Sequence, residues 1–323
     1  MKPTVYVAVE VKDPVKDYLR QFCEVRTWDE EYFIPRSVLL REIAGCDGVM
    51  LLKHKIDEEL LQHAPNLKVI SNASVGYNNF DISLMRERRI IGTNTPGVVD
   101  NSTADLVLAL MLATARRIPY LDGFIRTGRW TDDAQSKFYG VDVHHATLGI
   151  IGLGRIGEAI VKRARLGFDM NIIYHNRSRH YQAEQSLGAE YRSLEQLLTE
   201  ADFVILMTPL TDETRQMMST EQFRMMKKSA VFINASRGET VDQAALVRAL
   251  QEGWIWGAGL DVFDREPIGP DNPLFSLSNV VMTPHIGTAT WKTRTEMALM
   301  AARNLVAALQ GQQPENLVPE LKE

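Results

Sequence analysis

Short apolar, β-branched segments alternate with amphipathic segments along most of the chain. In the first third, the apolar segments are TVYVAV near residue 4, GVMLL near 48, LKVISN near 67 and RIIGTN near 89. Between them lie segments such as EELLQHA and FDISLMRERR, whose apolar residues recur with the period of a helix. This alternation is typical of a parallel sheet built from strand-helix-strand units.

A second series of apolar segments begins near residue 147. Its members are TLGIIG, NIIYHN, DFVILMT, AVFINAS, GAGLDVF and NVVMT, and the last ends near residue 283. Six strands separated by helices match a complete dinucleotide-binding fold. We therefore predict an α/β protein with two parallel-sheet domains, one flavodoxin-like and one Rossmann-like.

Two long helical segments connect the predicted domains. The first opens at DNSTAD, where Asn101, Ser102 or Thr103 can cap it, and runs to about Arg126. The second follows the last strand and ends at Gly311, so it can return the chain to the first domain. We predict a substrate domain of residues 1–100 and 288–323, with a cofactor domain of residues 101–287 inserted into it. Two such crossings predict a hinge, and we expect the active site in a cleft beside it.

Composition narrows the class of partner. The 323 residues are 45% hydrophobic and 24% charged, with a formal net charge of −5, so no basic surface for nucleic acid is indicated. The longest apolar run, LVLALMLATA, is about half a membrane span. Cys23 and Cys46 have neither CxxC spacing nor a neighbouring His cluster, which predicts no zinc site and fits a reducing cytoplasm. We expect a small-molecule partner, and no metal, membrane or nucleic acid.

The segment LGIIGLGRIG carries Gly152, Gly154 and Gly157 in GxGxxG spacing, between a predicted strand and an amphipathic helix. In such a loop the first glycine permits a tight turn, the second lets the backbone approach a pyrophosphate, and the third allows close helix packing. Amide groups at the start of the helix, at Arg155 and Ile156, would hold the phosphates. A purely structural turn is the weaker alternative in this context.

The residues after the second strand of this series bear on the choice of cofactor. An acid that binds the ribose 2′-hydroxyl of NAD(H) is expected about 20 residues beyond the glycines. The window MNIIYHNRSRH holds no Asp or Glu and instead offers Asn176, Arg177, Ser178 and Arg179. Guanidinium and hydroxyl groups suit a 2′-phosphate, so we predict NADP(H) in preference to NAD(H), with NAD(H) as the alternative. These arginines could also simply face solvent.

Three polar residues fall at or near the carboxyl ends of successive predicted strands: Arg237, Glu266 and His285. Parallel strands place those ends at one edge of a sheet. A guanidinium can grip the carboxylate and keto oxygen of a 2-keto acid, and an imidazolium can donate a proton as hydride arrives. A carboxylate bonded to the ring favours its protonated form. Each residue also has an ordinary interpretation, as a turn cap, an exposed acid or a loop histidine, but together they predict a catalytic site.

The segments LGIIGLGRIG, FINASRG, GAGLDVFDREP and TPHIGTAT strongly resemble the D-isomer-specific 2-hydroxyacid dehydrogenases, and among them the glyoxylate/hydroxypyruvate and 2-ketogluconate reductases. The resemblance covers the chain from about residue 45 onward. It implies NADPH-dependent reduction of small 2-keto acids to D-2-hydroxy acids. By the same resemblance, Arg237 anchors the substrate, Glu266 is the orienting carboxylate and His285 is the general acid.

The resemblance assigns further residues. The backbone amides of Val75 and Gly76, in SVGYNNFD, would receive the substrate carboxylate, and Asp261 would hold the nicotinamide carboxamide. Further contacts to the cofactor would come from Thr208, Pro209, Ala235, Ser236, His285 and Gly287. A homodimer is also implied, in which Phe138 or Tyr139 of the region 128–140 reaches a partner's active site.

Two other functions remain open at this stage. One is a different 2-hydroxyacid dehydrogenase, acting on phosphoglycerate or formate. We expect no C-terminal regulatory domain of the kind found in many phosphoglycerate dehydrogenases, which counts against the former without excluding its short forms. The other is a non-catalytic, dinucleotide-sensing binding protein, because the scaffold also resembles the C-terminal binding protein corepressors. The expected absence of a flanking disordered region favours the enzyme.

Overall fold

A computed structural model describes residues 2–30, 33–131 and 135–322. The chain divides into two compact units, Met1–Val99 with Ala289–Glu323 and Asp100–Thr288. We call them the first domain and the inserted domain. Their limits lie one residue from the boundaries expected from the sequence.

The first domain contains a five-stranded parallel sheet covered by helices. Its strands are β1 (Thr4–Val7), β2 (Glu24–Thr27), β3 (Gly48–Leu51), β4 (Val69–Asn72) and β5 (Ile91–Thr93). Its helices are α1 (Asp13–Phe22), α2 (Arg36–Glu42), α3 (Glu58–His63), α4 (Ile82–Glu87) and, at the end of the chain, α12 (Trp291–Leu309). The strand order β2-β1-β3-β4-β5 is flavodoxin-like, which confirms the prediction.

The inserted domain contains a seven-stranded parallel sheet. Its strands are β6 (Thr147–Ile151), β7 (Asn171–His175), β8 (Glu190–Tyr191), β9 (Phe203–Leu206), β10 (Val231–Asn234), β11 (Gly257–Leu260) and β12 (Val280–Met282). Its helices are α5 (Asp100–Ala115), α6 (Ile118–Arg126), α7 (Arg155–Phe168), α8 (Tyr181–Leu187), α9 (Leu194–Glu200), α10 (Thr220–Met225) and α11 (Gln243–Gln251). The order β8-β7-β6-β9-β10-β11 is that of a Rossmann fold, and β12 extends it at one edge.

Two strands, β2 and β8, are not predicted by the hydrophobic pattern. Both lie at an edge of their sheet. The residues of β2 alternate between exposed and half-buried, and β8 has only two residues, one of them exposed. An edge strand is covered less completely than a central one, so neither carries the continuous apolar run that identifies the other strands.

The predicted long helix ending near Arg126 is in fact two helices. α5 ends at Ala115 and α6 begins at Ile118, and between them Arg117 has a left-handed φ of 55°. Pro119 lies in the first turn of α6, the part of a helix where its missing amide is tolerated. The proline therefore forces a new start. α5 also begins earlier than predicted, so the three proposed capping residues lie within its first turn.

Both faces of each sheet are buried, which explains the continuous apolar strands at their centres. In the inserted domain, the cluster on one face includes Phe223 and Phe232, whose ring centroids are 5.3 Å apart, and the cluster on the other includes Tyr174. The apolar segment of α5 contributes to the second cluster. Across the described residues, no helix combines the length and apolarity needed to cross a bilayer.

The turn after β6 offers a test of local packing. Gly152 has a φ of 98°, and a Cβ there would lie 2.7 Å from the carbonyl carbon of Met207. We expect Gly152→Ala to lower the free energy of unfolding by about 2 kcal/mol or more, because left-handed strain and overpacking add. Urea denaturation measures the effect. Gly154→Ala is the control, since a Cβ there meets no atom within 4 Å, and equal losses in the two variants would contradict the prediction.

Candidate active site

The predicted catalytic residues follow three neighbouring strands of the inserted domain. β10, β11 and β12 are adjacent in the sheet, and Arg237, Glu266 and His285 come after them in turn. Nδ1 of His285 and Oε2 of Glu266 are 2.7 Å apart, and because a carboxylate can only accept, the ring nitrogen donates. Both side chains are about one-third or less exposed, at 32% and 27%. Nδ1 of His285 is thus held by Glu266.

Arg237 is half-buried at the same edge of the sheet. Its Nη1 donates to the carbonyl oxygen of Ser236 at 2.6 Å. Burial lowers the pKa of the Arg237 guanidinium, and the nearby carboxylates of Glu266 and Glu239 partly offset that shift. A partly desolvated guanidinium is well suited to pairing with a carboxylate through two parallel hydrogen bonds.

Asn234, the last residue of β10, holds the turn that carries Arg237. Its side chain is 1% exposed, so each polar atom needs a partner within the protein. Oδ1 accepts from the amide and hydroxyl of Ser236, at 3.0 and 2.9 Å. Nδ2 donates to the carbonyl oxygen of Arg237 at 3.0 Å. Asn234 therefore fixes the backbone of the turn from which the Arg237 side chain extends.

Asp261 plays the same part for His285. It follows β11 directly, is 1% exposed, and accepts through Oδ1 from the Thr283 hydroxyl at 2.6 Å and the Ile286 amide at 2.8 Å. Oδ2 accepts from the Gly287 amide at 2.9 Å. His285 lies between these anchor points with a left-handed φ of 55°, a conformation that a non-glycine residue holds only when its surroundings impose it.

The resemblance assigns Asp261 to the nicotinamide carboxamide. Both of its oxygens already bind donors of the protein, and three of about four lone-pair positions are used. Any contact with a carboxamide would use the remaining position on Oδ2.

The glycine loop has the features that a bound dinucleotide requires. Leu153, between the first two glycines, is held by Asn176, whose Oδ1 accepts from its amide at 2.7 Å and whose Nδ2 donates to its carbonyl at 3.1 Å. A Cβ on Gly152 would lie 2.9 Å from the amide nitrogen of Thr208, so the ends of β6 and β9 meet here, at the point where the strand order reverses. The open space at Gly154 and the first amides of α7 fit a pyrophosphate.

The two arginines after β7 have different surroundings. Nε and Nη2 of Arg179 donate to the two carboxylate oxygens of Glu184 at 3.0 and 2.8 Å. Tyr174 also donates to Glu184, at 2.6 Å, and these donors hold the pKa of its carboxyl below the usual value. Arg177 and Ser178 are exposed, and within the described residues Arg177 makes no hydrogen bond or ion pair.

The loop after β4, in the first domain, is held by its carbonyl groups. The carbonyl oxygens of three consecutive residues accept hydrogen bonds: Ser74 from the Thr95 amide at 2.9 Å, Val75 from Asn94 Nδ2 at 2.7 Å and Gly76 from Asn72 Nδ2 at 2.9 Å. Because the carbonyl and N–H of a trans peptide point in opposite directions, the amides of Val75, Gly76 and Tyr77 point away from these partners. No acceptor for the three amides is found in the part of the chain that the structure describes.

Phe138 and Tyr139, one of which is predicted to reach a partner's active site, have different surroundings. The ring of Phe138 packs edge-on against Phe124 at 5.5 Å, whereas Tyr139 is 62% exposed. Part of the predicted dimer arm, residues 132–134, lies outside the described residues. Among the side chains that are described, no group of three or more His, Cys, Asp or Glu residues is arranged to hold a metal ion.

Three residues that build the site were not among the predicted ones: Asn72, Asn94 and Asn234. None of them projects a reactive group. Asn72 and Asn234 each end an apolar run, in VISN and VFIN, and an amide in that position must find partners in the loop that follows. That signal is visible in the sequence, whereas the partner of Asn94 depends on the pairing of β4 with β5.

Comparison with known proteins places the chain in a class. The family model of the D-isomer specific 2-hydroxyacid dehydrogenase, NAD binding domain, matches residues 108–287. The chain is 46% identical over 323 residues to a glyoxylate reductase of Pyrococcus furiosus, with 98% of this chain and 96% of the relative covered. It is 48% identical over 320 residues to glyoxylate/hydroxypyruvate reductase B of Escherichia fergusonii, with 98% of each chain covered.

A solved structure agrees with these matches. An NADPH-dependent glyoxylate/hydroxypyruvate reductase of Sinorhizobium meliloti, in complex with NADP and malonate, superposes with a TM-score of 0.85 at 31% identity, covering 99% of this chain and 98% of that one. Fold and matches together define a dinucleotide-binding oxidoreductase. The chain belongs to the D-isomer specific 2-hydroxyacid dehydrogenase family, which confirms the resemblance noted in its sequence.

Asp261 provides a test of how the His285 turn is held. Asparagine keeps the shape of the side chain, but its amide group cannot accept a bond from the facing N–H or hydroxyl. We expect Asp261→Asn to lower the free energy of unfolding by about 2 kcal/mol, since hydrogen bonds to a buried charged group are lost. Urea denaturation followed by tryptophan fluorescence measures this loss. Asp264→Asn, at an exposed position nearby, should change stability by less than about 0.5 kcal/mol, and a similar loss in both variants would contradict the assignment.

Proposed function

We propose that this protein reduces small 2-keto acids to D-2-hydroxy acids with NADPH. The observation that carries the proposal is the 2.7 Å pair of His285 and Glu266 beside Arg237, at one edge of a dinucleotide-binding sheet. The names of the relatives favour glyoxylate and hydroxypyruvate as substrates. The sequence resemblance adds 2-ketogluconate as a further candidate.

Each side chain has a distinct part in the proposed reaction. A bound nicotinamide supplies the hydride that the keto carbon receives. Arg237 binds the carboxylate and the keto oxygen, and so orients the carbonyl. His285 donates the proton from Nε2 to the keto oxygen as negative charge develops there. Glu266 accepts from Nδ1, which fixes the orientation of the ring and places a negative charge beside it.

The substrate carboxylate also needs further hydrogen-bond donors. We assign the amides of Val75 and Gly76 to it, because neither has an acceptor among the described residues. Amide N–H groups of this kind can donate hydrogen bonds to an anion.

The cofactor would be held by the inserted domain. The pyrophosphate is assigned to the glycine loop, where the positive end of the α7 dipole lies beside the amides of the first turn of that helix. The residues we assign to the whole cofactor are Gly152, Gly154, Arg155, Ile156, Gly157, Asn176, Arg177, Ser178, Arg179, Thr208, Pro209, Ala235, Ser236, Asp261, His285 and Gly287. Asn176 and Asp261 act largely by shaping the loops on either side of it.

The 2′-phosphate of NADPH is assigned chiefly to Arg177 and Ser178. Both are exposed, and Arg177 has no ion-pair partner within the described residues. Arg179 already pairs with Glu184 through two hydrogen bonds, so its contribution is to shape the loop. Arg177 and Arg179 are therefore assigned different roles, although the sequence alone predicts the same role for both.

The proposal is tested by following NADPH consumption with glyoxylate, hydroxypyruvate and 2-ketogluconate. The wild type should reduce at least one of them, and His285→Ala should lose about 100-fold or more in kcat, because the general acid is gone. Its affinity for NADPH, measured by fluorescence titration, should change much less than kcat, because fifteen other assigned residues also hold the cofactor. His63→Ala, at an exposed position, is the control. Tight NADPH binding without reduction of any keto acid would instead favour a dinucleotide-sensing binding protein.

Glu266→Gln tests the partner of the histidine. Glutamine keeps the size of the side chain but removes the negative charge that faces Nδ1 of His285. We expect Glu266→Gln to lower kcat for reduction about tenfold or more, with a much smaller change in KM, because the ring loses the partner that orients it for proton transfer. Steady-state kinetics with glyoxylate measure both values, and a kcat equal to that of the wild type would remove Glu266 from the proposed chemistry.

The cofactor assignment predicts different effects of the two arginines. Arg177→Ala should raise KM for NADPH about tenfold or more and leave KM for NADH nearly unchanged, because only NADPH carries the 2′-phosphate. Arg179→Ala should alter both values together, since it acts through the loop. Steady-state kinetics with each cofactor distinguish the outcomes, and a better kcat/KM with NADH in the wild type would refute the NADPH preference.

We also propose a homodimer, as the resemblance implies. The exposed apolar side chains of α6 and the segment after it, Ile118, Ile125, Trp130 and Tyr139, favour this region as the contact surface. Of the two aromatic residues considered for a partner's active site, Tyr139 is the more exposed. Sedimentation equilibrium measures the oligomeric state, and a monomer at micromolar concentration would contradict the proposed homodimer.

A further inference from the structure

Arg294 is a half-buried cation that the proposed reaction does not use. It lies in the first turn of α12, in the first domain. Burial lowers the pKa of its guanidinium, and no neighbouring carboxylate offsets the shift. Within the described residues its side chain has no hydrogen bond and no ion pair. A cation removed from water without a partner is costly, so this position calls for an anion that the chain itself does not supply.

The position of Arg294 follows from the direction of α12 across the sheet. The hydroxyl of Ser71, near the end of β4, donates to the carbonyl of Ala301 at 2.8 Å. Gly48, the first residue of β3, lies against Leu305, since a Cβ there would be 2.9 Å from its Cδ1. The later part of the helix thus covers the amino ends of the strands. The beginning of α12 therefore lies toward the carboxyl ends.

The helix rise gives the level of Arg294 more closely. It precedes Ala301 by seven residues, two helical turns, and so lies on the same face about 10 Å nearer the carboxyl ends of the strands. β4 ends at Asn72, one residue beyond Ser71, and the loop that carries Val75 and Gly76 follows it directly. Arg294 therefore lies at the end of the sheet from which this loop emerges.

This loop presents the outward amides described above. The N–H groups of Val75, Gly76 and Tyr77 point away from the carbonyl partners that anchor the loop. Three neutral donors, and a guanidinium without a counter-ion among the described residues, thus occur at the same end of one sheet. Together they match the charge and the hydrogen-bonding capacity of a carboxylate.

We propose that Arg294 binds the carboxylate of the substrate together with the amides of Val75 and Gly76, and so selects anionic over neutral carbonyl compounds. The inference rests on the proposed function, because it names a further residue for the same substrate. Arg294 acts here through charge and paired hydrogen bonds, and takes no part in proton transfer.

The test compares glyoxylate with its neutral methyl ester. Arg294→Gln should lower kcat/KM for glyoxylate at least about tenfold, mainly through KM, because a charge-assisted bond to the carboxylate is lost. The ester lacks that charge, so its kcat/KM should change less than about twofold. Arg294→Lys retains the positive charge but cannot form two parallel hydrogen bonds. Its kcat/KM for glyoxylate should therefore lie between those of the wild type and Arg294→Gln. Arg303→Gln, at an exposed position of the same helix, is the matched control and should change neither value.

Equal losses with the acid and the ester would show that Arg294 only supports the fold, and would overturn the inference. Thermal melts establish that each variant is folded, and if Arg294→Gln is not, Arg294→Lys decides by the same acid-to-ester comparison.

Should the wild type reduce no keto acid, the proposed function fails, and binding decides the role of Arg294 separately. Malonate titrated into the NADPH-saturated protein by calorimetry then serves as the anionic probe. At least about tenfold weaker malonate binding by Arg294→Gln supports the inference. Equal affinities, or no malonate binding by the wild type, overturn it.

Discussion

A buried polar side chain at the end of an apolar strand must find hydrogen-bond partners, and in this protein the partners are backbone groups of the loop that follows. Asn234 binds the turn of Arg237, Asp261 binds the turn of His285, and Asn72 binds the loop of Val75 and Gly76. In water, solvent would form hydrogen bonds with these amides and carboxylates. At buried positions in a sheet, the partners must come from the protein itself. These hydrogen bonds hold each loop against the end of its strand.

This constraint connects packing to the candidate chemistry. A functional group acts best when it is already held where charge will develop, because no reorganisation is then needed during the reaction. His285 illustrates the point, since its left-handed backbone is retained between two anchor points of Asp261 while Glu266 fixes its ring. The carbonyls of residues 74–76 are anchored in the same way, and their amides are turned outward as a result.

Much of the architecture could be predicted because its signals are local. Continuous apolar runs identify the strands that are buried on both faces, and the glycine spacing identifies the loop after β6. The failures have physical causes. The edge strands β2 and β8 carry no such run, and Pro119 divides a helix whose apolar pattern continues across the break. The sequence predicts functional roles for the polar residues that follow the strands. It does not predict that Asn72 and Asn234, which end two of the strands, hold the loops in place.

The sequence by itself determined the fold class, the family, and the residue types available for binding a dinucleotide and a keto acid, because these depend on periodicity and on short motifs. Only the tertiary structure decided which of these groups have partners. It separated Arg179, paired with Glu184, from Arg177, and it revealed that Arg294 is half-buried at the end of the sheet that bears three outward amides. Such distinctions arise from contacts between residues far apart in the chain, and no local pattern records them.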